Sequence, residues 1–149
     1  MADEFDIIDL VFAAAEKANT GLIGYKDNSA TGEKRNHYTV RTTGLETKDF
    51  VNKAPVVNVN VFIKKFDNGM TNRSAMRDAV RSIKKSFGVK LKPASWDDII
   101  ADIDTEINES IIPVGMYFKA KIVWSEPLGE AKEGFDCTNI RLEVITELN

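Results

Sequence analysis

His37 is the only histidine of the 149 residues and Cys137 the only cysteine, 100 positions apart. A Cys–His couple could form only through folding, and no local nucleophile signature surrounds either residue. Each therefore reads as a structural side chain. The chain has no glycine-rich phosphate loop and no Gly-x-Ser-x-Gly elbow. One cysteine also rules out an internal disulfide and a multi-cysteine metal site. The best metal candidate is the acidic run Asp97, Asp98, Asp102, Asp104, Glu106 and Glu109. A calcium loop needs a turn-forming glycine among its ligands, and none lies inside this run. A solvated or partner-facing helix fits it better. The expectation is a non-enzymatic chain with no cofactor and no metal.

A second constellation is basic. Arg73, Arg77 and Arg81 recur at one-turn spacing, with Lys84 and Lys85 beside them. Such a stripe could track a phosphate backbone, although a basic helix face is more often only solvated. The partition of charge adds to it. From Lys64 to Lys92 there are nine cations and two anions; from Pro93 to Glu109 there are six anions and no cation. Two such surfaces can pair within a subunit or head-to-tail between copies, and the second arrangement closes into a ring when the rotation permits. Charge matching of this kind sets register and on-rate more than affinity. The candidate interface or DNA-channel residues are thus Arg73, Arg77, Arg81, Lys84, Lys85, Asp97, Asp98, Asp102 and Asp104.

The elements that must carry these residues centre on Pro55–Lys65. Val57, Val59, Val61 and Ile63 alternate with Asn58, Asn60, Phe62 and Lys64, which predicts the central strand of an antiparallel sheet, opened by Pro55. A helix is predicted over Asp3–Lys17, with Phe5, Ile8, Val11, Phe12 and Ala15 on its stripe and Ile7, Leu10, Ala13 and Ala14 widening the apolar arc. So wide an arc suits a buried helix or one that also meets a neighbouring subunit. Asn19–Gly21 ends it. Leu22–Tyr25 and His37–Thr42 read as strands, Asp27–Lys34 as an exposed, mobile loop, and Gly44–Lys53 as a linker with a turn around Phe50 and Val51. Asp67–Gly69 turns the chain into a helix from about Asn72 to Phe87, whose apolar stripe is Met76, Ala79, Val80, Ile83 and Phe87. Gly88 ends that helix.

Ser95 caps a further helical pattern through Trp96, Ile99, Ile100, Ile103 and Ile107, an acidic helix over about 95–109, although residues 102–107 also alternate like a strand. Pro113 opens a strand with Met116, Phe118, Ala120, Ile122 and Trp124 on one face. Pro127–Gly134 reads as a polar loop, and Thr138–Thr146 closes the sheet. The sum is one α+β domain over residues 1–149: an N-terminal helix and an antiparallel sheet of about four strands, with helices covering one face.

Bulk properties fit this. Hydrophobic content is 43%, charged content 29% and net charge −3, ordinary for a soluble globular domain and not drawn as a whole to nucleic acid or anionic lipid. No apolar run approaches the roughly 20 residues of a membrane helix, and no signal-peptide pattern opens the chain. A cytoplasmic chain without a membrane partner is expected.

Several segments together carry a resemblance. They are Gly21–Lys26, the strand His37-Tyr-Thr-Val-Arg-Thr-Thr, the strand Val57-Asn-Val-Asn-Val-Phe-Ile-Lys and the closing Thr138-Asn-Ile-Arg-Leu-Glu-Val. With the flanking helices, they resemble tail-terminator, tail-completion and head–tail connector proteins of tailed bacteriophages and prophages, especially of Bacteroides-like hosts. About two thirds of the chain takes part, and residues 91–109 have no counterpart. The resemblance implies a virion protein, assembled in the bacterial cytoplasm as a homo-oligomeric ring. Its partners would be neck, portal or tail-tube proteins, with DNA passing through the lumen. The loops 27–34 and 127–134 are candidates to order on docking. A strongly cationic lumen would retard DNA, so the arginine stripe is better placed at a lateral contact than in the channel. The alternative is a nucleic-acid-binding module using the helix 72–87.

Overall fold

The computed structural model describes residues 3–48, 51–87, 104–105 and 118–147. In chain order these form α1 (Glu4–Glu16), β1 (Ile23–Lys26), β2 (His37–Thr42), β3 (Glu46–Lys48), β4 (Val51–Lys64), α2 (Arg73–Ser86), β5 (Asp104–Thr105), β6 (Phe118–Lys132) and β7 (Phe135–Glu147). The strands make one sheet of order β1-β2-β4-β7-β6-β5, with β3 paired to part of β4. The architecture is α+β, with two described helices. The sheet is larger than the expected four strands and mixed rather than antiparallel, because β1 and β2 pair in parallel. Residues 27–36 must therefore carry the chain back along the sheet between two adjacent strands.

β4 is the central strand the alternation predicts, held antiparallel between β2 and β7. Its one-sided valines register against apolar partners: Val61 lies opposite Tyr38, Val59 between Val40 and Ile140, and Val57 opposite Leu142. These residues and Ile63, Val144, Ala120 and Ile122 form one core with Ile7, Val11 and Ala14 of α1 and Ile83 and Phe87 at the end of α2. Burying such side chains stabilises by about 1.5–3 kcal/mol each. The strand begins at Val51, not at Pro55. Between Ala54 and Val57 the register against β7 slips by one residue, and a bulge tolerates a residue without an N–H.

α1 starts as its sequence asks. Asp3 and Asp6 form a reciprocal capping box, Asp3 Oδ1 accepting from the Asp6 N–H at 2.9 Å and Asp6 Oδ2 from the Asp3 N–H at 3.1 Å. Its buried face is Ile7, Ile8, Leu10, Val11, Ala14 and Ala15, so the stripe turns away from the expected one and leaves Phe5 64% exposed. α2 is capped by Asn72, whose side chain accepts from the Ala75 N–H at 3.2 Å. It buries Ala79, Val80 and Ile83, as its periodicity predicts.

Four further expectations are corrected. The stretch 44–53 is not a linker but supplies β3 and the start of β4, paired antiparallel; Phe50 lies outside the described residues. The stretch 127–134 is not a loop: β6 runs to Lys132 and turns tightly into β7. Trp124 leaves the face of Ala120 and Ile122, because a bulge after Ile122 puts it opposite Arg141, 55% exposed. Within the span assigned to an acidic helix, Asp104 and Thr105 are a strand paired with Lys121 and Ala120; the rest of 95–109 lies outside the described residues, as does Gly88.

Candidate functional site

Arg73, Arg77 and Arg81 stand on the exposed side of α2, and Lys84 and Lys85 occupy its last turn, where cations suit the helix dipole. Four-residue steps place successive arginine stems about 6 Å apart along the axis. Arg77 Nε lies 3.9 Å from Asp78 Oδ1, an exposed pair of little energetic weight. Arg73, Arg81, Lys84 and Lys85 have no carboxylate partner among the described residues.

Three of these cations share a groove of about 540 Å³ between α2 and the β6–β7 hairpin. Arg73, Arg77 and Lys84 form its charged wall, Met76 and Val80 its apolar helical wall, and Pro127 part of the facing hairpin. None of the described residues lining it is acidic. Partial burial, followed by the charge of Arg81, holds the Lys84 pKa below that of a free lysine. The hairpin wall exists because the bulged β6 keeps Ser125 and Pro127 in register with Ile140 and Thr138 on the helix side, while Trp124 and Glu126 fall on the other. Trp124 Nε1 donates to Glu126 Oε2 there at 2.8 Å.

Of the acidic half of the predicted site, Asp104 is the described residue, and it is on a strand rather than a helix. Asp104 sits on β5 opposite Lys121, and Asp97, Asp98 and Asp102 lie outside the described residues. Among the described residues, α1 is an acidic helix. Asp3, Glu4, Asp9 and Glu16 are exposed and Asp6 half-buried, with exposed Phe5 among them. The sequence reading placed Phe5 on the apolar stripe and gave these carboxylates no binding role. The signal was a phenylalanine flanked by carboxylates.

Folding brings His37 and Cys137 to the same sheet face, with Phe62 between them in register. Neither is presented to solvent. The His37 ring stacks on Phe62 at 4.8 Å, meets Phe135 edge-on at 5.4 Å, and has Nδ1 2.7 Å from the Arg35 carbonyl. That contact makes Nδ1 the donor and leaves Nε2 without a partner. Burial lowers the His37 pKa and raises that of Cys137 to about 11. The return 27–36 roofs this cluster. Its expected exposure fails at Glu33, which is buried, accepts from the Tyr25 hydroxyl and pairs with Arg35 Nε at 2.9 Å. The Arg35 and Tyr25 hydrogen bonds hold the Glu33 carboxyl far below the ordinary carboxylate range. Among the described residues no group of three potential ligands could hold a metal ion, and no described helix is long and apolar enough to cross a membrane.

No protein-family model matches the chain, and no curated protein matches it. A solved structure aligns over 98% of this chain and 92% of its own, at 13% identity and a TM-score of 0.47. A likeness at that level assigns no activity, ligand or partner.

Proposed function

We propose that the chain is a structural subunit of a tailed-phage virion, a tail terminator or head–tail connector that assembles into a ring around the DNA channel. It works by self-association and by docking on neck, portal or tail-tube proteins, without catalysis. The observation that carries this reading is the placement of the segments behind the resemblance. His37–Thr42, Val57–Lys64 and the segment from Thr138 lie side by side as β2, β4 and β7, the continuous middle of the sheet. The shared pattern is thus the framework of the fold rather than scattered surface. Supporting it, His37 and Cys137 are packed away from solvent, and large apolar side chains are exposed at Phe5 on α1, at Phe66 and Met70 between β4 and α2, and at Val123, Trp124 and Leu128 on β6.

Native mass measurement with negative-stain imaging at physiological salt tests this. A discrete closed ring is expected. A chain that neither closes by itself nor joins rings on purified tail tubes or portals would refute the reading. One observation favours a second function, a nucleic-acid-binding module: three cations of α2 share a groove free of described carboxylates. DNA binding that weakens steeply with salt, and further in Arg77→Glu, would select it.

A further inference from the structure

We infer that the groove between α2 and the β6–β7 hairpin receives the first turns of α1 from a second copy of this chain, with Phe5 as the apolar anchor. This rests on the ring reading above and names its lateral contact. The argument starts from charge. The segment Asp3–Glu16 contains five carboxylates and no cation, whereas Arg73–Ser86 contains five cations and the single anion Asp78. One helical layer therefore carries an acidic helix and a basic helix.

Their placement decides how they can meet. α1 packs over β1 and β2, at one edge of the sheet. Asp9 Oδ1 pairs with Lys26 Nζ of β1 at 2.9 Å, and Lys26 also lies over the Phe12 ring, 5.2 Å from its centroid. Helical spacing places Phe5 on the same stripe as Asp9 and Phe12, so it lies on the flank turned toward the β1 edge. The groove opens on the other flank of the layer, where α2 faces β6 and β7. The two surfaces thus sit on opposite sides of one subunit. Each can be satisfied by the next copy, which is a heterologous contact of the kind that closes into rings.

The apolar match is equally specific. Phe5 is 64% exposed beside Glu4 and Asp6, an arrangement of one aromatic anchor with a charged rim. The groove offers Met76 and Val80 between Arg73, Arg77 and Lys84, an apolar floor with a cationic rim. A thioether and a branched aliphatic make a suitable seat for a phenyl ring.

The test uses exposed positions that leave the core and the Asp3–Asp6 capping box intact. Sedimentation velocity of the full chain is measured for wild type, Phe5→Ser, Arg73→Glu/Arg77→Glu and Glu4→Arg/Asp9→Arg, with circular dichroism confirming that each is folded. Wild type should assemble. Phe5→Ser and each charge-reversal variant should associate at least about tenfold more weakly, because each removes an anchor or sets like charges opposite one another. Mixing the two charge-reversal variants should restore association, since each contact between unlike variants pairs opposite charges again. Rings that form in all variants as in wild type overturn the contact and leave the ring reading standing. A wild-type chain that stays monomeric at high concentration overturns the contact, and the ring reading then stands or falls on assembly with purified tail tubes or portals. Lost assembly in both variants without rescue on mixing overturns it too.

Discussion

His37 makes the pH dependence of stability predictable from a single residue. Its ring is fully buried between Phe62 and Phe135, with Nε2 unpartnered. The titratable or charged groups facing it are Tyr25, Glu33 and Lys132. Burial dominates and lowers the folded pKa; Lys132 lowers it further, while Glu33 and the Arg35 carbonyl oppose. The folded state therefore binds fewer protons than the unfolded state, whose histidine titrates near 6.5. Stability is fully present above that value and is lost as pH falls below it, toward the lowered folded pKa. The ceiling follows from linkage: at pH 5 a group held neutral costs 1.36 kcal/mol per unit below 6.5, or about 2 kcal/mol. That is a large part of a typical domain stability of about 5–15 kcal/mol. Urea unfolding at pH 7.5, 6.5, 5.5 and 5 should show the decline in wild type and a nearly flat profile in His37→Gln. The window is clean, because this is the only histidine and Glu33 contributes only as pH falls below the ordinary carboxylate value of 4.5. Parallel profiles for the two proteins between pH 7.5 and 5 would refute the reasoning.

Three other consequences can be measured. A Cβ at Gly24 would lie 2.6 Å from the Tyr38 hydroxyl and 2.7 Å from Phe12 Cε2, so Gly24→Ala should lower stability by about 1–3 kcal/mol in urea melts. Cys137, buried and with its thiol pushed up to about 11, should resist iodoacetamide at pH 7.5 in the native state and react at once in denaturant. Asn139 Nδ2 donates to Asn58 Oδ1 at 3.0 Å and Asn60 Oδ1 at 2.8 Å. Asn139→Ala should cost about 1–2 kcal/mol and leave the sedimentation profile unchanged.

The middle of the sheet was legible because burial on one face leaves a period-two signature. Val57, Val59, Val61 and Ile63 announce β4, and Met76 through Phe87 announce α2. What the sequence hides are bulges and returns. One extra residue after Ile122 reverses the face of Trp124, and no composition rule marks that residue. The parallel pairing of β1 and β2 depends on where residues 27–36 travel, which is decided by the buried Glu33 clasp on Tyr25 and Arg35 rather than by turn-forming residues. The basic stripe was fully readable, but its groove was not. The facing wall comes from Pro127, about fifty residues away in a stretch whose Pro and Gly content reads as loop.

The same sheet explains why recognition should fall to the helical layer. On the face away from the helices, Asn139 Nδ2 bridges the Asn58 and Asn60 side-chain carbonyls across β4 and β7, and the neighbouring row places Arg41 and Arg141 either side of Asn58. Amide groups already bonded to one another gain little by trading those partners for another protein's, since each exchange returns roughly the hydrogen bond it breaks. On the helix side the balance differs. Arg73, Arg81, Lys84 and Lys85 have no described carboxylate partner, and Phe5 has no described cover. Under the proposed contact, a second copy supplies both. The proposed contact thus draws on the side of the subunit where described cations and an exposed aromatic lack partners of their own.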